Sequence, residues 1–187
     1  MINLKINNLP ISVEEGTTIL EAAKSIGIKI PTLCYMKEIN EIGACRICMV
    51  EAAEMRGAEL GPFRMVTACV YPVTEGMVVK TNTEKVIASR KTTLEMILST
   101  HNRSCLACVR SGNCELQTLC QEYGIENPGN YDGAFPESIY DDSAIHMIRD
   151  NSKCILCRRC VAACKEQEVG VIGANDRGFD THIGCVY

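Results

Sequence analysis

The sequence predicts an α+β chain: a small strand–strand–helix roll first, then a short helical segment, then a part-formed third segment. Three observations predict it. Apolar residues alternate with polar ones over residues 2–13, on the two-residue period of strands. The period becomes helical at 19–26, and again at 84–99 and 114–123. Most of the 13 cysteines among the 187 residues fall into three blocks, each with its own spacing.

Ile2, Leu4 and Ile6 form one alternating run and Leu9, Ile11 and Val13 another, with Asn7-Asn8 as the turn of a hairpin. Thr18 with Glu21 three residues later is a capping box. Behind it Ile19, Ala22, Ala23 and Ile26 share a helical face, and Gly27 stands where the helix should stop. Further strands are expected near 46–51 and at 77–81. Strand–strand–helix with returning strands is a β-grasp, ubiquitin-like roll. In residues 84–99, Ile87, Leu94, Ile97 and Leu98 keep a helical period, with Asn82 or Thr83 as N-cap. A shorter helix over 114–123 carries Leu116, Leu119, Cys120 and Tyr123. Residues 127–138 are rich in turn formers and predict a joint, and after Glu168 a strand and a turn follow. The expected division is 1–81, 82–126, a linker loop at 127–144, and 145–187.

At 47% hydrophobic the chain can bury a core. Aromatics are only 5% and Trp is absent, so aliphatic packing and metal crosslinks must supply much of the order. A net charge of −4 does not provide the basic stripe of a nucleic-acid groove. The opening MINLKINNLPISVEEG lacks the cationic start and apolar stretch of a signal peptide, and no run approaches the roughly 18 apolar residues of a membrane span. The expectation is a cytoplasmic protein. Thiols stay reduced there, so clustered cysteines read as metal ligands rather than disulfides, and an odd cysteine count fits a paired framework poorly.

Cys34, Cys45, Cys48 and Cys69 form the first block. Three cysteines in one wrapping loop and a fourth returning later is the ligand pattern of a [2Fe–2S] cluster. The gap from Cys34 to Cys45 holds ten residues where the plant-type pattern has four. Gly43 and Ala44 are small enough to let backbone N–H groups approach sulfur, and such hydrogen bonds tune the potential. The bland alternative is a zinc pair, Cys45 and Cys48, with two core cysteines.

His101, Cys105, Cys108 and Cys114 form the second block. Three thiolates and a neutral imidazole suit a [4Fe–4S] cluster carrying less negative charge, which should raise its potential. The same set suits zinc. Cys154, Cys157, Cys160 and Cys164 form the third block, with the spacing of the bacterial ferredoxin run except that Lys165 stands where Pro is customary. In that run the first three cysteines hold one cubane and the fourth ligates another. A second run is expected to follow, so either the polypeptide is a piece of something longer, or Cys164 or Cys185 closes the first cubane alone. Cys120 reads as core, packing as a small hydrophobe, and His146 and His182 read as surface residues.

Taken in order, the blocks resemble the N-terminal electron-transfer region of [FeFe]-hydrogenases. The large iron–sulfur subunit of respiratory complex I and the alpha subunit of NAD-dependent formate dehydrogenases share this region. The marks are NEIGACRICMVE, HNRSCLACVRSGNCELQ and CILCRRCVAAC. The resemblance covers essentially the whole chain. It implies a 2Fe-2S ferredoxin-like domain, a small helical domain whose cluster has one histidine and three cysteine ligands, and a partial bacterial-ferredoxin-like domain. It implies one [2Fe–2S] cluster on the first block and one His-ligated [4Fe–4S] cluster on the second. One or two further cubanes follow, with Cys154, Cys157 and Cys160 serving one and Cys164 the other. The segment EMRGAELGPFR lengthens the return to Cys69 and could contact a partner.

The expected function is single-electron relay within a multi-subunit oxidoreductase, with no catalytic residue in these motifs. The implied partners are a flavoprotein or NAD(P)-binding subunit, a small ferredoxin-like subunit and a downstream catalytic domain. An NAD(P)-linked [FeFe]-hydrogenase is the first expected parent and a formate dehydrogenase or complex-I-like subunit the second. A zinc-stabilised binding module is the alternative of another class.

Overall fold

In the computed structural model, which describes residues 1–125, 131–134 and 140–185, the N-terminal alternation becomes a hairpin. β1 (Ile2–Ile6) runs antiparallel to β2 (Leu9–Val13), with Ile2 opposite Val13 and Ile6 opposite Leu9. Asn7 and Asn8 both take left-handed conformations (φ 49° and 69°), as a two-residue hairpin turn requires.

α1 (Ile19–Ser25) starts where Thr18 Oγ1 accepts from the Glu21 N–H. The Glu21 carboxylate also accepts from the Tyr35 hydroxyl at 2.7 Å. The helix stops at Gly27, whose φ of 75° is open to glycine without strain.

β3 (Met49–Ala53) begins later than the sequence suggests. β4 (Met55–Arg56) and β5 (Glu59–Leu60) fold the EMRGAELGPFR segment into a small hairpin of its own. With β6 (Arg64–Thr67) and β7 (Val78–Lys80), the main sheet has the order β2-β1-β7-β3-β6. β1 and β7 are parallel and the other neighbours antiparallel. One face packs on α1: Leu4, Ile6, Val50, Met77 and Val79 meet Ile19, Ala22 and Ala23 in one buried cluster. Ile6 has no exposed surface, so Ile6→Ala should cost about 2–5 kcal/mol through lost burial and the cavity left behind. A denaturant titration reads this directly.

α2 (Glu84–Ser99) is capped by Thr83, whose Oγ1 accepts from the Val86 N–H and donates to Glu51 at 2.7 Å. Leu94 and Leu98 are buried as expected, and so is Val86. α3 (Glu115–Glu122) buries Leu116 and Leu119. β8 (Tyr140–Ala144) pairs with β9 (Met147–Asp150), so 140–144 is strand where the sequence suggests loop. Its pairing includes an Arg149–Asp141 ion pair at 3.4 Å rather than apolar alternation. The rest of the expected linker lies mostly outside the described residues. α4 (Arg159–Glu166) and the hairpin of β10 (Ile172–Asn175) with β11 (His182–Cys185) follow.

The chain is therefore α+β. Its compact units are Met1–Tyr35 with Glu41–Lys91, and Met36–Asn40 with Thr92–Tyr187. Among the described residues no helix is long and apolar enough to cross a membrane.

Candidate functional site

The first block converges. Cys34, Cys48 and Cys69 are each 1% exposed, and Cys45 is half-buried. The four thiols form two pairs. Cys48 Sγ lies 3.3 Å from Cys69 Sγ, and the Cys45 N–H points at Cys34 Sγ at 3.5 Å. Within each pair one thiol is shifted down and the other up. The hydrogen bond from Cys34 brings the Cys45 thiol down to about 5, with help from the Ile47 N–H and against the effect of burial. Cys48 is lowered chiefly by its bond to Cys69. Cys34 and Cys69 are raised, first by those same bonds and then by burial. The charges of Cys48, Cys34 and Cys45 also raise Cys69, so all four sulfurs act on one another.

The backbone makes this possible. Gly43 takes φ 62° just before the N–H groups of Ala44 and Cys45 that face Cys34, and Arg46 takes φ 57° just before the Ile47 N–H that faces Cys45. This is the close backbone approach expected of the small residues there. Two thiol pairs, each with depressed proton affinity on one member, fit a flat two-iron rhomb with two sulfurs per iron.

The second block begins where α2 ends. His101 Nδ1 is buried without a hydrogen-bond partner, an orphan that a native protein rarely tolerates unless a ligand satisfies it. Burial, and then Lys153, lower the imidazole's proton affinity, while Asp150 opposes, a shift toward the neutral ring that ligation demands. Cys105 opens a single 3₁₀ turn, Cys105–Ala107. The Arg110 N–H points at Cys108 Sγ at 3.5 Å, and Cys114 is the N-cap of α3. Cys120 is half-buried rather than core. Burial raises its thiol to about 11, followed by the charges of Cys114 and Cys105, which places it beside this block. Its i+6 spacing from Cys114 did not signal that.

In the third block, Leu156 and Arg158 are left-handed (φ 52° and 59°), and the Leu156 N–H points at Cys154 Sγ at 3.4 Å. Burial raises the Cys154 thiol, and the charges of Cys157 and Cys160 add to it. Cys164 is lowered by the backbone N–H of Ile172, and further by those of Val171 and Gly170. That nest suits a thiolate. Cys185 is exposed and is the cross-strand partner of Ile172. Asn40, which the sequence did not single out, donates Nδ2 to the Cys157 carbonyl at 3.0 Å. His146 is exposed. His182 is half-buried: its side chain is 17% exposed and lies 3.5 Å from Asp176 and 3.1 Å from the Asp180 carbonyl.

The donor chemistry fits iron–sulfur groups: buried thiols with depressed partners, N–H groups aimed at sulfur, and an imidazole nitrogen left unpaired. Residues 1–84 match the family described as a 2Fe-2S iron-sulfur cluster binding domain. Residues 90–128 match the NADH-ubiquinone oxidoreductase-G iron-sulfur binding region. A crystal structure of NAD+-reducing [NiFe]-hydrogenase in the H2-reduced state matches with a TM-score of 0.88 at 30% identity, over 99% of this chain and 75% of that one. The chain belongs to the iron–sulfur electron-transfer family of NAD(P)-linked oxidoreductases. The chain is similar to the NADP-reducing hydrogenase subunit HndD of Solidesulfovibrio fructosivorans, 43% identical over 96% of this chain and 30% of that protein. An NADH-quinone oxidoreductase subunit of Rhizobium meliloti (strain 1021) is 35% identical over 98% of this chain and 21% of its own length. The NADPH-Fe(3+) oxidoreductase subunit alpha of Geobacter sulfurreducens (strain DL-1 / KN400) is 38% identical over 100% and 21%. The chain thus spans less than a third of each of these three curated relatives. As in the family, it carries a 2Fe-2S domain and a 4Fe-4S region.

Proposed function

We propose that this chain relays single electrons through three clusters. Cys34 and Cys45 hold one iron of a [2Fe–2S] cluster, and Cys48 and Cys69 the other. His101, Cys105, Cys108 and Cys114 hold a [4Fe–4S] cluster. Cys154, Cys157 and Cys160 hold a third, and Cys164 serves a further cubane or closes this one. The clusters supply one-electron redox chemistry. The chain's own residues hold them, bury them and aim N–H groups at sulfur, which sets their potentials.

The gathering of three buried thiols and one half-buried thiol at the first block is the observation that carries this reading, since core cysteines have no reason to gather in pairs whose sulfurs act on one another. At the level of finer structure, residues 82–126 form the domain of the His-ligated cluster and 145–187 a partial ferredoxin-like domain.

The parent is an NAD(P)-linked hydrogenase. Identity is 43% to the NADP-reducing hydrogenase subunit, against 38% and 35% for the NADPH-Fe(3+) and quinone oxidoreductase subunits. The motif resemblance favours the [FeFe] type. Because the same region matches an NAD+-reducing [NiFe]-hydrogenase, the relay itself serves either kind of active site. The partners are a flavoprotein or NAD(P)-binding subunit, a small ferredoxin-like subunit and a catalytic domain, in the cytoplasm.

Anaerobically purified protein should be brown and carry about ten irons, two from a two-iron cluster and four from each of two cubanes. Reduction should develop three EPR signals. A colourless protein with stoichiometric zinc would instead be the zinc-stabilised module.

A further inference from the structure

We propose that Asn40 is a positioning residue for the third cluster site: its side-chain amide, bonded to the Cys157 carbonyl, holds the ligand loop from Cys154 to Cys160 in its binding shape. The inference rests on reading Cys154, Cys157 and Cys160 as ligands.

Asn40 lies in the ten-residue gap between Cys34 and Cys45, yet residues Met36–Asn40 belong to the compact unit that contains the third block. The segment closes on itself. The Met36 N–H bonds the Asn40 carbonyl at 3.1 Å and the Asn40 N–H bonds the Met36 carbonyl at 2.7 Å, around a left-handed Glu38 (φ 65°). This ring fixes the backbone from which the Asn40 side chain projects. Asn40 is 2% exposed, and a buried amide is tolerated only where it is hydrogen-bonded. Its Nδ2 reaches the Cys157 carbonyl across 117 residues of chain at 3.0 Å.

The accepting peptide needs such a restraint. Cys157 sits between Leu156 and Arg158, both left-handed although both carry side chains. That conformation is disfavoured for such residues and persists where the surroundings over-determine it. Hydrogen bonds within the loop, such as that from the Leu156 N–H to Cys154 Sγ, are local and move with it. The Asn40 bond comes from a distant part of the chain and fixes the loop against something else. It also places a donor on the peptide carbonyl of a ligand residue, and hydrogen bonding around a cluster is one of the protein's levers on potential.

The ten-residue spacing at the first block therefore has a use at the third: it supplies the loop that carries Asn40.

The test uses the full chain, reconstituted anaerobically, as wild type, Asn40→Ala and Asn40→Asp. The aspartate keeps the size but sets a carboxylate oxygen against the Cys157 carbonyl. The expected result is selective. The third site's EPR signal shifts in potential or falls at least tenfold in spin count, more in the aspartate than in the alanine variant. The two-iron and His-ligated signals keep their potentials and intensities. A third signal unchanged in both variants overturns the inference. So does an equal fall of all three signals, which makes Asn40 a folding residue. A wild-type protein with no third signal overturns the ligand assignment itself, and this inference with it.

Discussion

Cys69→Ala abolishes the two-iron EPR signal and removes about two of about ten irons, leaving the other clusters in place. Cys69 is 1% exposed and its sulfur sits 3.3 Å from that of Cys48. Without it, Cys48 loses the bond that chiefly lowers its proton affinity, and the second iron keeps one protein sulfur where it needs two. The cost extends to folding. Three cysteines of this block, Cys34, Cys48 and Cys69, are buried, and Cys48 and Cys69 are part of the buried cluster that joins the sheet to α1. Metal binding at a site absent from the unfolded chain contributes to folding, on the order of 10 kcal/mol at structural zinc sites, against a typical domain stability of about 5–15 kcal/mol. The variant should therefore unfold residues 1–84 at markedly lower temperature, read by calorimetry on the anaerobic protein. Cys120→Ser is the control. Cys120 lies beside Cys114 and Cys105 but is no assigned ligand, so its removal should leave the iron count unchanged.

His101→Cys should keep its cubane and lower that cluster's potential. A thiolate in place of neutral imidazole adds one negative charge at the iron, which disfavours the reduced state. Two imidazoles for two thiolates raise Rieske centres by roughly 250 mV or more over plant-type ferredoxins, so a single exchange should move the potential on the order of 100 mV. His101→Ala removes the ligand without replacement, leaves a buried gap where Nδ1 now has no partner, and should cost that cluster outright. A redox titration followed by EPR separates the variants. Potentials unchanged across all clusters in His101→Cys would show that the imidazole does not ligate.

Much of this was legible in the chain. The Asn7-Asn8 turn, the Thr18 cap and the stop at Gly27 follow from local chemistry, because each is decided by residues within a few positions of one another. His101 could be singled out for a similar reason: its spacing from Cys105 and its place at a helix end are local facts. What could not be read depends on distant partners. Nothing within Met36–Asn40 says that the Asn40 amide meets the Cys157 carbonyl. Cys120 shares an apolar face with Leu116 and Leu119, so its period points to the core, and only the packed structure sets it beside Cys114. The strand Tyr140–Ala144 has neither alternation nor β-branched residues, and it exists through its pairing with Met147–Asp150. His182 carries no ligand-like spacing, and its half-buried seat by Asp176 comes from the β10–β11 pairing.

The central claim is that these sulfurs and one imidazole hold iron in two-iron and four-iron clusters. Mössbauer spectroscopy of the 57Fe-reconstituted, oxidised protein tests it most directly. The predicted spectrum has about one fifth of the iron area from a two-iron cluster and about four fifths from cubanes, matching two irons against eight. A protein whose cysteine blocks hold zinc, or whose iron shows no two-iron component, would contradict it.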